Sequence, residues 1–116
     1  MRRKPHLPRI RGTQLGLARP AQVDQIKADM LAGRFAFGES AARLDGVRDR
    51  RGVYYVKDGH HRMVAAMEIY RETGDSHFVL ELVRWGRWND TERAPIDGCA
   101  LPSRSWWGAF WNWLGF

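Results

Sequence analysis

The feature that most constrains this chain is a strand-like run that passes through one tight turn into a helix-like run. Residues 53–56, Val-Tyr-Tyr-Val, are β-branched or aromatic, as is typical of a strand. From Met63 onward, apolar residues recur at helical spacing, and Gly74 is expected to end the helix. Between them lies the sequence Lys-Asp-Gly-His-His-Arg at 57–62. The pattern therefore predicts a strand–turn–helix unit with reactive polar side chains at its turn.

The predicted turn suits an anion. The start of a helix carries backbone N–H groups without partners and a partial positive charge, and Arg62 would add a guanidinium that can bind phosphate with two donors. His60 and His61 are adjacent, so their side chains should diverge. One imidazole would then face the pocket as an acid or base while the other packs or holds the loop. Gly59 is expected to be required for the tight turn and for close approach of a ligand.

Two residues of the turn have alternative interpretations. Asp58 could cap the helix or hold the turn through backbone N–H groups, or it could orient a histidine or bind a divalent cation beside a phosphate. Arg62 could instead form a surface ion pair with Asp58 or Glu68. No metal ligand set is predicted, because adjacent histidines lack the i, i+2 or i, i+4 spacing of a zinc pair.

This run resembles the signature turn of the ParB/sulfiredoxin superfamily, in which a strand ends in a Gly-x-x-Arg turn and an Ala-rich helix follows. It is most similar to the Asp-Gly-His-His branch, which is associated with ParB-like domains of bacterial polymorphic toxins and mobile elements. Residues 11–15 match the opening strand and residues 20–33 the first helix, so the resemblance covers about residues 10–86. His60 stands where sulfiredoxins carry a catalytic cysteine, and their thiol chemistry is therefore not implied.

The resemblance implies a small α/β (α+β) domain with a mixed sheet and a nuclease that cleaves DNA phosphodiester bonds. The implied catalytic residues are Asp58, His60, His61 and Arg62, and the implied phosphate-binding residues are Gly59, Arg62, Arg11 and Gln14. Mg²⁺ is an optional cofactor. The partners would be DNA or a nucleotide and an inhibitory immunity protein. Two alternatives stay open, namely an NTPase or kinase-like phosphotransferase and a non-catalytic DNA- or protein-binding module.

The length of 116 residues predicts one domain, divided into a basic flexible arm (1–9), a ParB-like catalytic domain (10–88) and a connector with a Trp-rich C-terminal segment (89–116). Within it we expect a strand over 11–17, a helix over 20–33, a long surface loop over 34–51 and a strand over 78–83. The Trp-rich tail is expected to fold back onto the domain, with partner docking and membrane-surface contact as alternatives.

Charge and composition narrow the function further. The net charge is +6, and residues 1–19 hold six bases and no acid, whereas the remainder has 13 of each. That arm suits contact with a phosphate backbone, although a solvated leader would look the same. A single cysteine, Cys99, excludes an internal disulfide or thiolate cluster, and neither haem, flavin nor structural zinc is expected. Without a predicted membrane span or signal peptide, we expect a cytoplasmic site of action, reached in some cases as part of a secreted effector.

Overall fold

The computed structural model describes residues 7–104, so most of the predicted arm and the whole tryptophan-rich tail lie outside the described residues. Within that range the chain forms four strands, three α-helices and a short 3₁₀ turn. Their bounds are β1 Ile10–Arg11, α1 Pro20–Leu31, the 3₁₀ turn Ser40–Ala42, β2 Asp45–Arg48, β3 Tyr54–Asp58, α2 His60–Thr73, α3 His77–Trp85 and β4 Arg87–Asp90.

The four strands form one mixed sheet in the order β1-β3-β2-β4. Strand β3 is parallel to β1 and antiparallel to β2, and β2 is parallel to β4. This arrangement confirms the predicted fold class, a small α/β (α+β) domain with a mixed sheet and helices. The predicted strand–turn–helix unit is β3 followed by α2, and it lies at the centre of the fold.

The core lies between the sheet and the helices, which pack α1 against α2 and α2 against α3. Apolar residues of all three helices meet there, as helical spacing in α1 and α2 predicts. The fully buried side chains of this core include Val23, Met30, Leu44, Val56, Met63, Ile69, Val79 and Leu82. No helix within residues 7–104 is long and apolar enough to cross a membrane.

The predicted strand over 78–83 is wrong, because these residues belong to helix α3. The alternation of apolar residues is also compatible with a helix: Val79 and Leu82 are three residues apart and both buried, whereas Leu80 between them is exposed. Just before the helix, the Asp75 carboxylate accepts the His77 N–H at 2.9 Å. That side-chain bond supplies a partner for a free N–H of the first turn.

The predicted loop over 34–51 is wrong at its end, because Asp45–Arg48 forms strand β2 between β3 and β4. Asp and Gly are poor strand formers, so pairing on both sides decides the conformation. Gly46 is required there, since a Cβ would collide with the Tyr55 carbonyl and the Trp88 ring. The helix predicted over 20–33 is confirmed as α1, which ends at Leu31.

The strand predicted over 11–17 is reduced to β1, and a different segment completes that edge of the sheet. Gly12 and Cys99 exchange two backbone hydrogen bonds of 2.8 Å each. Leu101 is buried in the core, and Arg104 bonds to α1 and α2. Because β4 spans 87–90 and residues 99–104 pack on the domain, the expected boundary at residue 88 does not separate a connector from the body.

Candidate functional site

An open cleft of about 490 Å³ lies where the β3–α2 turn faces helix α1 and the segment after it. One wall consists of Asp58, Gly59, His61 and Arg62. The opposite wall comes from α1 and the following loop, through Gln22, Ile26, Asp29, Arg34, Phe35, Ala36, Glu39, Ala41 and Ala42. The cleft therefore brings together four of the seven residues that the sequence predicted.

Gly59 sets the geometry of the turn. It precedes α2 in the left-handed region, with φ of 102°, and contributes no side-chain cap to the helix. A Cβ at this position would overlap the Leu44 side chain and lie 3.0 Å from Nη2 of Arg62. Only glycine fits, for both conformational and steric reasons. The first turn of α2 thus meets the cleft without a side chain capping its N–H groups.

Arg62 is partly committed to the scaffold. Its Nη1 donates to the carbonyl oxygens of Ala41 at 2.7 Å and Arg43 at 3.1 Å, and its side chain is 17% exposed. Nη2 lies 3.7 Å from Oδ2 of Asp58, a longer ion pair. The guanidinium therefore holds the loop around the 3₁₀ turn with one nitrogen and leaves Nη2 weakly engaged at the cleft.

His60 lies outside the cleft lining and is 3% exposed. Its Nε2 accepts the Thr13 N–H at 3.0 Å, and the Thr13 hydroxyl donates to the Val56 carbonyl at 2.9 Å. Burial lowers the pKa of His60, the neighbouring His61 contributes in the same direction, and Asp58 and a backbone hydrogen bond to Val56 oppose it. A buried imidazole that accepts an N–H is neutral, so His60 ties the segment after β1 to the start of α2.

His61, unlike His60, lines the cleft. Its Nε2 accepts a hydrogen bond from the Arg19 backbone N–H at 3.1 Å. Arg19 is the residue just before α1, so this bond joins the starts of the two helices. The adjacent histidines therefore lie in different surroundings, one buried and one at the cleft.

Asp58 is the acid of the turn, and its side chain is 73% exposed. Because Gly59 is the N-cap residue and α2 has no side-chain cap, the structure contains no cap from Asp58. The alternative pairing of Arg62 with Glu68 is also not formed, since the Glu68 carboxylate binds Lys27 and Arg104. Asp58 therefore faces the cleft, and it forms the long ion pair with Arg62 there.

Arg11 and Gln14 do not line the cleft. Arg11 pairs with Tyr55 in the sheet, on strand β1. The Gln14 amide donates to the Gly16 carbonyl at 2.6 Å, and the Gln14 carbonyl accepts the Cys99 thiol at 3.4 Å. Both residues therefore stand apart from the group formed by Asp58, Gly59, His61 and Arg62.

The opposite wall contains charged residues that no local pattern in the sequence indicated. Asp29 and Arg34 form an ion pair at 3.1 Å, and Glu39 is an exposed carboxylate. Together with Asp58 and Arg62 they give the lining three acids and two arginines. Residues 7–104 contain no group of three or more His, Cys, Asp or Glu side chains placed to hold a metal ion.

Comparisons of the chain with protein-family models, curated proteins and solved structures found no match.

Proposed function

We propose that this chain is a ParB-like nuclease domain that hydrolyses DNA phosphodiester bonds at the start of α2. The observation that carries the proposal is the convergence of an uncapped helix start, His61 and Arg62 on one open cleft. Helix N–H groups and a guanidinium are complementary to the charge that develops on a phosphate in the transition state. The sequence resemblance, which rests on the same turn, implies the same chemistry.

Each residue of the turn has a separate role in this proposal. Arg62 is oriented by the Ala41 and Arg43 carbonyls through Nη1, which leaves Nη2 for a phosphate oxygen. His61 supplies a polar hydrogen or a proton acceptor at the cleft wall. His60 acts indirectly, because its hydrogen bond with Thr13 holds the turn in place. If Mg²⁺ takes part, Glu39 would hold it together with substrate phosphate and water, the usual protein environment of that ion.

The charge of the cleft limits how DNA can bind. With three acids among five charged lining residues, the cleft suits one phosphodiester group and not a long stretch of backbone. Contacts with neighbouring phosphates would fall to the basic arm, whose bases include Arg2, Arg3 and Lys4. A toxin-type domain of this kind would need an immunity protein that covers the cleft.

A nucleotide-binding enzyme is the second candidate, and one observation favours it. Ile26, Phe35 and Ala36 give the far wall an apolar surface that could receive a nucleobase while the α2 start binds phosphates. In that case the substrate would be a nucleoside triphosphate, and the products would be a diphosphate with phosphate or a phosphorylated acceptor.

The proposal is tested by incubating the full chain with supercoiled plasmid DNA, bis(4-nitrophenyl) phosphate and nucleoside triphosphates, with and without Mg²⁺. We expect plasmid nicking by the wild type and a loss of about 10²- to 10³-fold in Arg62→Lys, which keeps the charge but loses the forked donors. Arg71→Lys, on the exposed surface of α2, is the matched control and should cleave normally. Turnover of triphosphates without nicking would favour the second candidate, and no turnover of any substrate would favour a binding module.

Growth of bacteria offers a separate test of toxicity. Induced expression of the wild type in the cytoplasm should arrest growth, and Arg62→Lys should relieve the arrest at equal protein level. Equal growth of both strains would contradict a toxin role while leaving hydrolysis to the biochemical assay.

A further inference from the structure

The hydrogen bond between Arg19 and His61 fixes which nitrogen of the His61 ring carries the proton. A backbone N–H can only donate, so Nε2 of His61, at 3.1 Å from the Arg19 nitrogen, must be an unprotonated acceptor. A neutral imidazole with a free Nε2 lone pair carries its hydrogen on Nδ1. His61 lines the cleft, and no group among residues 7–104 accepts a hydrogen bond from Nδ1.

The donor is held in place by the fold. The Arg19 carbonyl accepts the Gln22 N–H at 3.0 Å as α1 begins, and the next residue, Pro20, has a restricted φ. The Pro20 carbonyl in turn accepts Nη1 of Arg104 at 3.1 Å. These contacts fix the backbone of α1 directly after the Arg19 N–H that donates to His61.

We propose that His61 acts on the bound phosphate as a neutral hydrogen-bond donor through Nδ1–H, and that the Asp58 carboxylate takes the proton from the attacking water. This inference rests on the proposed phosphodiester hydrolysis. Asp58 suits the second role because its carboxylate is accessible in the same cleft, on the residue just before Gly59. The Nε2 lone pair that a histidine base would need is occupied by Arg19.

In the proposed step, protons and electrons are accounted for without a change in the charge of His61. The water oxygen forms a bond to phosphorus while its proton passes to Asp58. The bond between phosphorus and the leaving oxygen breaks, and the electron pair stays on that oxygen, which takes a proton from solvent. Asp58 then releases its proton to solvent, and His61 keeps its own Nδ1 hydrogen throughout while it stabilises the negative oxygens.

The tautomer is tested first, by long-range proton–nitrogen NMR on the full chain labelled at histidine with ¹⁵N, at pH 8. The inference predicts a protonated Nδ1 and an unprotonated Nε2 in His61. His77, an exposed residue outside the cleft, provides the comparison spectrum. A spectrum in which Nε2 of His61 carries the hydrogen would overturn the inference, whatever the enzymatic activity.

The role is tested with three substitutions, assayed on bis(4-nitrophenyl) phosphate and plasmid. In His61→Asn the side-chain amide can place an N–H near the position of Nδ1, so we expect activity within about tenfold of wild type, whereas His61→Ala should lose about 10²-fold or more. Asp58→Asn, which removes the proposed base, should lose about 10²-fold or more, and activity near wild type in folded Asp58→Asn would contradict the base role.

Equal inactivity of His61→Asn and His61→Ala in folded protein would contradict the donor role and favour a base. A wild type that cleaves neither substrate would overturn the proposed activity and the roles assigned with it. The NMR spectrum alone would still decide the tautomer, so a wrong tautomer can be distinguished from a wrong proposed activity.

Discussion

Helix α2 borders an open cleft at its start, whereas its second half lies in a dense set of ion pairs. At the second site, which we call the Glu68 cluster (Asp24, Lys27, Glu68, Glu72 and Arg104), Glu68 is 12% exposed and accepts bonds from Lys27 at 3.2 Å and Arg104 at 2.6 and 2.9 Å. At the start, Asp58 is 73% exposed and its ion pair is 3.7 Å long. Charge that is tightly paired supports the fold, and charge that is loosely paired remains available to a ligand.

The pKa values of the Glu68 cluster also indicate that its charges are tightly paired. Burial alone would raise the pKa of the Glu68 carboxyl, but hydrogen bonds and charge from Arg104 and Lys27 outweigh it and hold the pKa below its ordinary value. A hydrogen bond from Arg104 similarly lowers the pKa of Asp24. Bonds to Glu68 and Asp24 raise the pKa of Arg104. Asp24, Glu68 and Arg104 are therefore ionised at neutral pH.

The largest effect is expected from comparing the glycines that begin and end α2. Both have positive φ, 102° at Gly59 and 79° at Gly74, but an added Cβ meets Leu44 only at Gly59 and nothing within 4 Å at Gly74. Gly59→Ala should cost about 3 kcal/mol or more of unfolding free energy, through strain and overlap together. Gly74→Ala should cost about 1 kcal/mol. Urea denaturation measures both, and equal costs would mean that the cleft end is no more tightly specified than the other.

A second, smaller effect distinguishes two of the three acids of the Glu68 cluster, Glu68 and Glu72. Glu68→Gln removes a charge that is mostly buried and leaves Lys27 and Arg104 with only their exposed partners Glu72 and Asp24, so we expect a loss of about 2 kcal/mol, below the range for fully buried pairs. Glu72 is 57% exposed and, among residues 7–104, pairs with Lys27 alone, so Glu72→Gln should cost under about 0.5 kcal/mol. Thermal and urea unfolding provide the comparison. If Glu68→Gln were as mild as Glu72→Gln, the cluster would not support the fold.

The smallest effect concerns pH and the buried histidine. Because burial lowers the pKa of His60 in the folded state, the unfolded chain binds a proton there more readily. Stability from His60 is therefore fully present above the unfolded pKa of about 6.5 and declines as the pH falls below it. Carboxyl groups with lowered pKa values lose their contribution to stability only nearer pH 4. A change in stability between about pH 7 and pH 5 therefore reports on histidine.

The control for this pH dependence is a pair of variants. His60→Gln should flatten the decline in stability between pH 7 and 5, whereas His77→Gln, at an exposed position, should leave it as in the wild type. The measurement is the urea midpoint at several pH values. A decline that survives in His60→Gln would assign the pH dependence to another group.

Local sequence patterns predict the elements whose residues agree with their own neighbours. Tyr54–Asp58 and His60–Thr73 combine β-branched or aromatic residues, a turn glycine and helical spacing, and both form as expected. The short run in α3 carries apolar residues that fit either period, and it was mistaken for a strand. Strand β2 has no local strand signal, since its conformation depends on the two neighbouring strands.

The candidate site also has a part that the sequence predicts and a part that it does not. The residues of the turn are adjacent in sequence, so their shared location could be predicted, although the burial of His60 could not. Asp29, Arg34 and Glu39 reach the cleft only through the packing of α1 on α2. The partner of His61 is the backbone N–H of Arg19, which any residue except proline would provide, so side-chain identity carries no signal for it.

The pairing of Gly12 with Cys99 has a consequence for synthesis of the protein on the ribosome. The edge of the sheet beside β1, the buried Leu101 and the Arg104 bonds to α1 all depend on residues that follow β4 in the chain. Segments that meet across such long sequence separations fold slowly, because their loops must close first. A nascent chain that has emerged only through β4 therefore exposes an incomplete core. The core of the domain is completed only when residues 99–104 have also emerged.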